Sequence, residues 1–193
     1  MARRVGITGG IGSGKSVVSK ALRAMGYKVY DADSNSKRLC ATNETLKNAL
    51  TNAFGNIYNE DGTLNKALFA SIIFNDTAQL AKANAIIHPF VIKDFLEWSE
   101  RAFSNNGVVF VESAILLECE LKEHVEKVIN VSADENERLS RIIKRDGCTE
   151  ESARARINSQ MAERERAAAA DYTIMNNDAD FITPQIEKLL TEL

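Results

Sequence analysis

The glycine-rich segment from Gly9 to Ser16 is the feature that most constrains how this chain folds. It fits the pattern G-x-x-x-x-G-K-[ST] throughout. A short apolar run with β-branched residues, Arg3–Thr8, precedes it, and a helical pattern, Val17–Met25, follows it. Glycines let backbone N–H groups turn inward, and a helix N-terminus adds partial positive charge at the same place. The segment therefore predicts a phosphate-binding loop, or P-loop, between a strand and a helix.

The same pattern assigns a task to each part of the loop. Lys15 is expected to reach the β- and γ-phosphates of a nucleotide, and the Ser16 hydroxyl is expected to bind Mg²⁺. ATP and Mg²⁺ are therefore the predicted cofactors. A glycine-rich turn without a ligand is the alternative, which the flanking strand and helix disfavour. The residues expected to contact the nucleotide here are Gly10, Ile11, Gly12, Ser13, Gly14, Lys15, Ser16 and Val17.

Short apolar runs separated by helical patterns indicate a parallel sheet with crossover helices. Because most of the runs are apolar rather than alternating, we expect helices on both faces of the sheet. The predicted strands are Arg3–Thr8, Tyr27–Asp31, Val108–Glu112, Lys127–Val131 and Tyr172–Met175.

The long interval between the second and third predicted strands is helical in pattern. Apolar residues recur at helical spacing in Asn43–Phe54, Asn65–Phe74 and Ala78–Phe103. The dipeptide His88-Pro89 is expected to bend or divide the last of these helices. We therefore expect a helical insertion attached to an α/β core.

Composition is that of an ordinary globular protein. The chain has 193 residues and a formal net charge of -3, which argues against non-specific binding to nucleic acid or to anionic membranes. The three cysteines lie far apart in sequence, so neither a disulfide framework nor a zinc site is predicted. The sequence contains no recognisable signal peptide and no apolar stretch long enough to span a bilayer, and the cytoplasm is the expected compartment.

Other motifs narrow the class of P-loop protein. A GTPase needs a D-x-x-G switch, but no aspartate in this chain is followed three residues later by glycine. It also needs an N-K-x-D base-reading motif, but the Asn65-Lys66 pair continues with Ala67-Leu68. A GTPase is therefore disfavoured, and a small-molecule kinase is favoured.

Three carboxylates follow the predicted strands and are candidates for the chemistry. Phosphoryl transfer to an alcohol needs a carboxylate near the acceptor hydroxyl, and ligands bind outside the carboxyl ends of parallel strands. Asp31 and Asp33 end the second predicted strand. Both could face the ligand crevice, or one or both could cap a helix that begins near Ser34. Glu112 is either a Walker-B-like residue that holds Mg²⁺ through water or a solvated charge at a strand end.

Arginines recur along two further predicted helices, Glu135–Arg145 and Thr149–Arg166. Arg141 and Arg145 lie four residues apart, so they can share one helix face and clamp phosphate charge. On the second helix, a solvated face with Glu/Arg pairs is the favoured interpretation. That interpretation applies to Arg154, Arg156, Arg164 and Arg166.

Taken in order, these residues match a known family. Over essentially its whole length, the chain resembles the dephospho-coenzyme A kinases. Outside the P-loop each matching piece is weak alone, but their order and spacing together are specific. The pieces are Asp31-Ala32-Asp33, Asp61-Gly62-Thr63-Leu64, His88-Pro89, Ile115-Leu116-Leu117-Glu118, Arg141, Arg145-Asp146, Gln160, Ala170-Asp171 and Asn176.

The resemblance implies ATP-dependent phosphorylation of the ribose 3′-hydroxyl of dephospho-CoA, the last step of coenzyme A synthesis. It implies a P-loop core with a five-stranded parallel sheet, a helical substrate-binding insertion and a helical lid. By this match Asp33 is the preferred catalytic base and Arg141 a lid-side phosphate contact, while Arg145 and Asn176 join the nucleotide site. The implied divisions are a core of residues 1–32, 105–146 and 167–193, a CoA-binding insertion of residues 33–104, and a lid of residues 147–166.

The chain departs from the family pattern at four places. Val17 stands where threonine is usual, and Glu112 stands in a segment where aspartate is usual. Arg138 aligns with a common glutamine, and Asp178 stands where the family usually has glycine. None of these changes removes a group that the chemistry requires.

Two other functions compete with this one. A kinase for nucleosides or nucleoside monophosphates should carry arginines in the insertion to hold the acceptor phosphate. Between Asn43 and Phe103 the sequence offers only Arg101, which disfavours that function. A non-catalytic ATP-binding module would bind ATP without transferring phosphate. The sequence predicts no oligomeric state.

Overall fold

The computed structural model describes residues 3–73, 76–103 and 107–193. Within these residues five strands and nine α-helices occur, with two short 3-10 helices after the third strand. The strands are β1 (Arg3–Thr8), β2 (Lys28–Asp31), β3 (Val108–Glu112), β4 (Lys127–Ser132) and β5 (Tyr172–Met175). The helices are α1 (Lys15–Ala24), α2 (Ala32–Thr42), α3 (Glu44–Phe54), α4 (Lys66–Ile73), α5 (Thr77–Ala102), α6 (Glu135–Asp146), α7 (Glu150–Asn158), α8 (Glu163–Ala169) and α9 (Ile182–Glu192).

The strands form one sheet with the order β2-β3-β1-β4-β5. The central strand β1 pairs in parallel with β3 and with β4, and β4 pairs in parallel with β5. Since strands adjacent in the sheet are separated in sequence, helices must cross over between them. The predicted fold class, a five-stranded parallel sheet flanked by helices, is confirmed.

The core of the sheet is built from the apolar runs that identified the strands. Val5 and Ile7 of β1 are fully buried, as expected for a central strand covered on both faces. Val18 and Leu22 pack in the same cluster from α1, and Leu189 packs in it from α9. Burial of this kind, rather than helix propensity, stabilises the crossover helices.

The chain divides into two compact units, Met1–Tyr30 with Ser99–Leu193 and Asp31–Trp98. The first unit contains most of the sheet and the P-loop. The second is helical, and its interior includes fully buried apolar side chains of its own. These are Leu46, Leu50, Ile57 and Phe95. The substrate-binding role of residues 33–104 stays a prediction. Residue 104, where this predicted insertion ends, lies outside the described residues. The same is true of Phe74, where one of the predicted helices ends.

The structure differs from the expected helices in three places. The helix α5 runs without interruption through Pro89, so it is not divided there, and the alternative of a bend stays a prediction. Proline removes one backbone hydrogen bond, but Ala83, Val91 and Phe95 are buried on either side of it, and this packing offsets the loss. The predicted helix Thr149–Arg166 is instead the pair α7 and α8. The C-terminal helix α9 was not predicted.

Within the described residues, no helix combines the length and the apolar character needed to cross a bilayer.

Two phenylalanines of the first unit allow a matched test of this core. Phe110 of β3 is fully buried and meets the Tyr27 ring edge to face at 5.6 Å, whereas Phe181 is 82% exposed. Phe110→Ala should lower the free energy of unfolding by roughly 3–5 kcal/mol, because it leaves a cavity in the core. Phe181→Ala, the same change at the surface, should stay within about 0.5 kcal/mol of the parent. Urea titrations of both variants measure the difference, and equal losses would contradict the assignment of the core.

Candidate active site

The P-loop connects the end of β1 to the start of α1 through backbone conformations that favour glycine. Gly12 and Gly14 have φ angles of 80° and 91°, in the left-handed region. A Cβ atom on Gly12 would lie 2.7 Å from the carbonyl oxygen of Arg138, and one on Gly14 would collide with the side chain of Asn176. Space as well as conformation therefore restricts both positions to glycine.

Side-chain donors hold the carbonyl oxygens of the loop. Three such donors come from different parts of the first unit: the loop's own lysine, α6, and the segment after β5. When its carbonyl groups are bonded in this way, a loop of this kind can direct its N–H groups towards an anion. The bonds are Lys15 Nζ to Gly9 O (2.7 Å), Arg138 Nε to Ile11 O (3.0 Å) and Asn176 Nδ2 to Ser13 O (2.8 Å).

The helix that follows the loop is open to an anion at its N-terminus. Gly14 is the N-cap residue of α1 and has no side chain to cap it, and the first turn contains no acidic residue. The partial positive charge of the helix end is therefore not neutralised by a local carboxylate. Together with the Lys15 ammonium group, this arrangement fits the phosphate groups of a nucleotide.

Two candidate magnesium residues lie on neighbouring elements. Ser16 is an exposed residue of the first turn of α1, and Glu112 is the half-buried last residue of β3. Glu112 is aligned with Ile7 of β1, two residues before the loop begins. Among residues 3–73, 76–103 and 107–193 there is no group of three or more His, Cys, Asp or Glu side chains suited to a metal ion.

The two predicted arginines of α6 occupy different surroundings. Arg141 lies beside the loop, with Nη1 at 3.5 Å from Gly12 O. Its Nη2 donates to Glu137 Oε2 at 2.9 Å and to Asp178 Oδ1 at 2.7 Å. Arg145 instead forms two hydrogen bonds with Asp146, at 2.7 and 2.9 Å.

The pairing of Arg145 also affects its partner. Hydrogen bonds from Arg145, and then from Arg156, lower the pKa of the Asp146 carboxyl group. Arg145 is 58% exposed at its side chain, and both of the hydrogen bonds described above go to Asp146. Its predicted contact with the nucleotide stays a prediction.

Two residues at the loop received no site role from the sequence. Arg138 lies beneath the loop and is 5% exposed, and Gln160 accepts a hydrogen bond from the Ile11 N–H group at 2.7 Å. Arg138 stands four residues before the buried Ile142, so the helical period already indicates that it faces inward. Nothing local in the sequence indicates the contact of Gln160, because its partner is far away along the chain.

The two aspartates at the carboxyl end of β2 have separate positions. Asp31 is the N-cap residue of α2: its Oδ1 accepts from Ser34 N at 2.9 Å and its Oδ2 from the Ser34 hydroxyl at 2.7 Å. Asp33 lies in the first turn of α2 and is exposed. The capping alternative is therefore realised at Asp31, and the catalytic role of Asp33 stays a prediction.

The predicted lid contains α7, the α7–α8 connection and the start of α8. Ala153 and Ile157 of α7 pack in a buried cluster with Leu139 and Ile142 of α6. Gln160 joins this region to the P-loop through the bond to Ile11. Movement of the region as a lid stays a prediction.

Comparison with known proteins identifies the family. The family model for dephospho-CoA kinase matches residues 3–181. The chain belongs to the dephospho-CoA kinase family. As such it is a kinase, and the family's reaction is the ATP-dependent phosphorylation of dephospho-CoA in coenzyme A synthesis. The predictions of family, fold, enzyme class and reaction are therefore confirmed.

Individual relatives match almost the whole length of this kinase. A dephospho-CoA kinase of Porphyromonas gingivalis is 40% identical over 187 residues, which cover 96% of this chain and 92% of the relative. A crystal structure of a Thermus thermophilus protein is 30% identical, with a TM-score of 0.85 and coverage of 100% of this chain and 98% of that one. A dephospho-CoA kinase from Campylobacter jejuni, at 23% identity, a TM-score of 0.69 and coverage of 100% and 95%, shares the fold.

Two glycines allow a matched test of the nucleotide site of this kinase. Gly12 and Gly26 have similar φ angles of 80° and 90°, but a Cβ atom on Gly26 would meet nothing within 4 Å. Alanine should therefore strain the backbone by about 1–2 kcal/mol at either position. Only Gly12→Ala should also weaken ATP binding, by roughly 10-fold or more, because it displaces the loop from Arg138. Calorimetric titration with ATP and a urea titration separate the two effects, and equal ATP affinity in both variants would contradict the site.

Proposed function

We propose that this kinase transfers the γ-phosphoryl group of Mg-ATP to the ribose 3′-hydroxyl of dephospho-CoA by means of the residues described below. The observation that carries the proposal is the P-loop, whose carbonyl groups are bonded to Lys15, Arg138 and Asn176. A loop held in this way offers N–H groups and a helix N-terminus to the phosphates of ATP.

Lys15 is the cation that moves onto the nucleotide. Its Nζ lies 2.7 Å from Gly9 O and 3.4 Å from Gly10 O, so it already occupies the rim of the loop. The β- and γ-phosphate oxygens are stronger acceptors than these carbonyl groups, because they carry negative charge. Hydrogen bonds to a charged acceptor are shorter and stronger than those to a neutral one. Lys15 then neutralises negative charge on the group that is transferred.

Ser16 and Glu112 are the residues that would hold magnesium. The Ser16 hydroxyl would bind the ion directly, and Glu112 would bind one of its water molecules, which suits the longer reach of glutamate. When bound, the ion neutralises charge on the β- and γ-phosphate oxygens.

Arg141 is the second cation at the phosphates. In the described structure its guanidinium group is shared by Glu137 and Asp178. Asp178 is 84% exposed at its side chain, so a phosphate can replace it without burying a carboxylate. The arginine then contacts the γ-phosphate while Glu137 maintains its orientation.

Asp33 accepts the proton of the acceptor. The O3′ atom of the ribose bonds to the γ-phosphorus, the bond from that phosphorus to the β–γ bridging oxygen breaks, and the O3′ proton passes to the Asp33 carboxylate. The position of Asp33 supports this role, since it follows the carboxyl end of β2 by two residues, and the N-cap position of α2 is held by Asp31.

The helical unit Asp31–Trp98 is proposed to bind the acceptor. It contains a cavity of about 280 Å³ with apolar and polar walls. Leu39 and Phe90 are among the apolar residues, and the charged residues are Lys93, Asp94 and Glu97. Residues 147–166 are proposed to close over the nucleotide and exclude water. Both assignments follow the divisions that the family resemblance implies.

The compartment proposed for the reaction is the cytoplasm. Cys40, Cys119 and Cys148 are free thiols, which is typical of proteins from reducing compartments. Binding to nucleic acid is not expected, given the net charge of -3.

A panel of acceptors tests the function directly. The protein is incubated with Mg-ATP and, separately, with dephospho-CoA, adenosine, AMP and shikimate, and the products are weighed by mass spectrometry. We expect one added phosphate on dephospho-CoA and ADP in equal amount, with little product from the other acceptors. ATP binding without transfer to any acceptor would favour the non-catalytic alternative, and transfer to AMP would favour a nucleotide kinase.

Asp33 and Asp31 provide a matched pair for the catalytic step. Asp33→Asn keeps the shape but removes the proton acceptor, so kcat and kcat/KM should fall together by roughly 100-fold or more. ATP affinity should change little, because the loop carries that binding. Asp31→Asn should retain activity and lose only a few tenths of a kcal/mol in stability, because asparagine caps helices nearly as well. Steady-state kinetics with dephospho-CoA tests the assignment of Asp33 as the catalytic base. Full activity of the Asp33→Asn variant would contradict it and would leave Asp31 or Glu112 as the candidate base.

A further inference from the structure

The side chain of Arg138 spans the underside of the P-loop. Its Nε donates to Ile11 O at 3.0 Å. Its Nη2 would lie 2.5 Å from a Cβ atom on Gly10, so the guanidinium group packs directly against the backbone of that residue. Its backbone carbonyl oxygen would lie 2.7 Å from a Cβ atom on Gly12. The arginine therefore contacts the loop at three consecutive residues.

The charge of Arg138 is buried in a cluster that contains more positive than negative groups. Arg138 and Arg166 are 5% and 1% exposed, and both approach the single carboxylate of Glu163. Glu163 is closer to Arg166, at 2.9 Å, than to Arg138, at 3.8 Å, and its other oxygen accepts from Asn130. Among the described residues, this cluster thus holds two cations against one anion.

Glu135, the other carboxylate that acts on Arg138, does not neutralise the excess positive charge of this cluster. Glu135 is more than half exposed and forms its ion pair with Arg154 at 3.0 Å. Burial lowers the pKa of Arg138, Glu163 raises it, the charge of Arg166 lowers it further, and Glu135 raises it by the smallest of these effects. A guanidinium group nonetheless remains protonated in proteins. Among the described residues, the carboxylate that pairs with Arg138 is therefore one that it shares with the closer Arg166.

The other arginines of α6 differ in this respect. Arg141 bonds with both Glu137 and Asp178, and Arg145 bonds with Asp146 through two nitrogen atoms. Arg145 also shares Asp146 with Arg156, but all three of these arginines are partly exposed, so solvent screens their charges. A buried charge interacts over a longer range than an exposed one, because the surrounding dielectric constant is lower.

We propose that Arg138 is a further residue of the nucleotide site, which orients the P-loop through Ile11 and attracts the phosphates of ATP from beneath the loop. This inference rests on the proposed function, in which the loop binds those phosphates. The nucleotide supplies the negative charge that the buried cluster lacks. Arg138 is a positioning residue, since its observed contacts at the loop are with the backbone, through which it would act on the nucleotide.

The proposal predicts how affinity depends on the number of phosphates. Arg138→Gln retains a hydrogen-bond donor but removes the charge. It should weaken ATP binding by about 10-fold and ADP binding by less, and leave adenosine binding unchanged. Arg138→Lys keeps the charge and should recover most of the ATP affinity. Calorimetric titrations with the three ligands at constant salt give these values.

Arg23→Gln is the matched control, because Arg23 also donates to one backbone carbonyl, Val29 O at 3.1 Å, but from an exposed position. It should bind all three ligands as the parent does. The proposal would be overturned in favour of a purely structural role if Arg138→Lys bound ATP as weakly as Arg138→Gln does. It would also be overturned if Arg138→Gln lost affinity for adenosine and for ATP by the same factor. Unchanged ATP binding in Arg138→Gln would overturn it as well.

A separate variant distinguishes failure of this inference from failure of the proposed function. Lys15→Met should lose ATP affinity whatever the role of Arg138, because Lys15 contacts the phosphates in the proposed function. If Lys15→Met binds ATP as the parent does, the loop is not the nucleotide site and both proposals fail. If Lys15→Met loses binding but Arg138→Gln does not, only the inference about Arg138 fails.

Discussion

The hydrogen bonds that hold the carbonyl oxygens of the P-loop are the interactions on which the rest of the site depends. A loop that presents N–H groups to an anion must direct carbonyl groups elsewhere, and buried carbonyl groups need donors. Lys15, Arg138 and Asn176 provide them. Only Lys15 belongs to the loop motif. The other two come from α6 and from the end of β5, so the loop is competent only in the folded sheet.

The strand order explains how these distant donors meet. Because β1 is central, with β4 and then β5 on one side, the segments that follow β4 and β5 begin beside the P-loop. The backbone N–H of Asn176 donates a hydrogen bond to the backbone oxygen of Ser132 at 2.8 Å, which fixes the segment after β5 to the end of β4. A parallel sheet thus concentrates its functional groups at one edge without any proximity in sequence.

Charge is distributed unequally among the arginines near the site. Arg141 has carboxylate partners that a phosphate can replace, which suits a group that changes partners during the reaction. Arg138 is buried and shares Glu163 with Arg166, which suits a fixed charge. Since a helix places residues three apart on neighbouring faces, a single helix can present both kinds of arginine to one loop.

The sequence by itself determined the P-loop, the five strands, the family and most of the helices, because these depend on local spacing and on short-range backbone chemistry. Only the tertiary structure decided that Asp31 caps α2 and that α5 continues through Pro89. It also decided the partners of two arginines: Arg138 bonds to the loop, and Arg145 pairs with Asp146. Each of these outcomes is a competition between partners. Packing and distant contacts decide such competitions, and neither is encoded in the spacing of neighbouring residues.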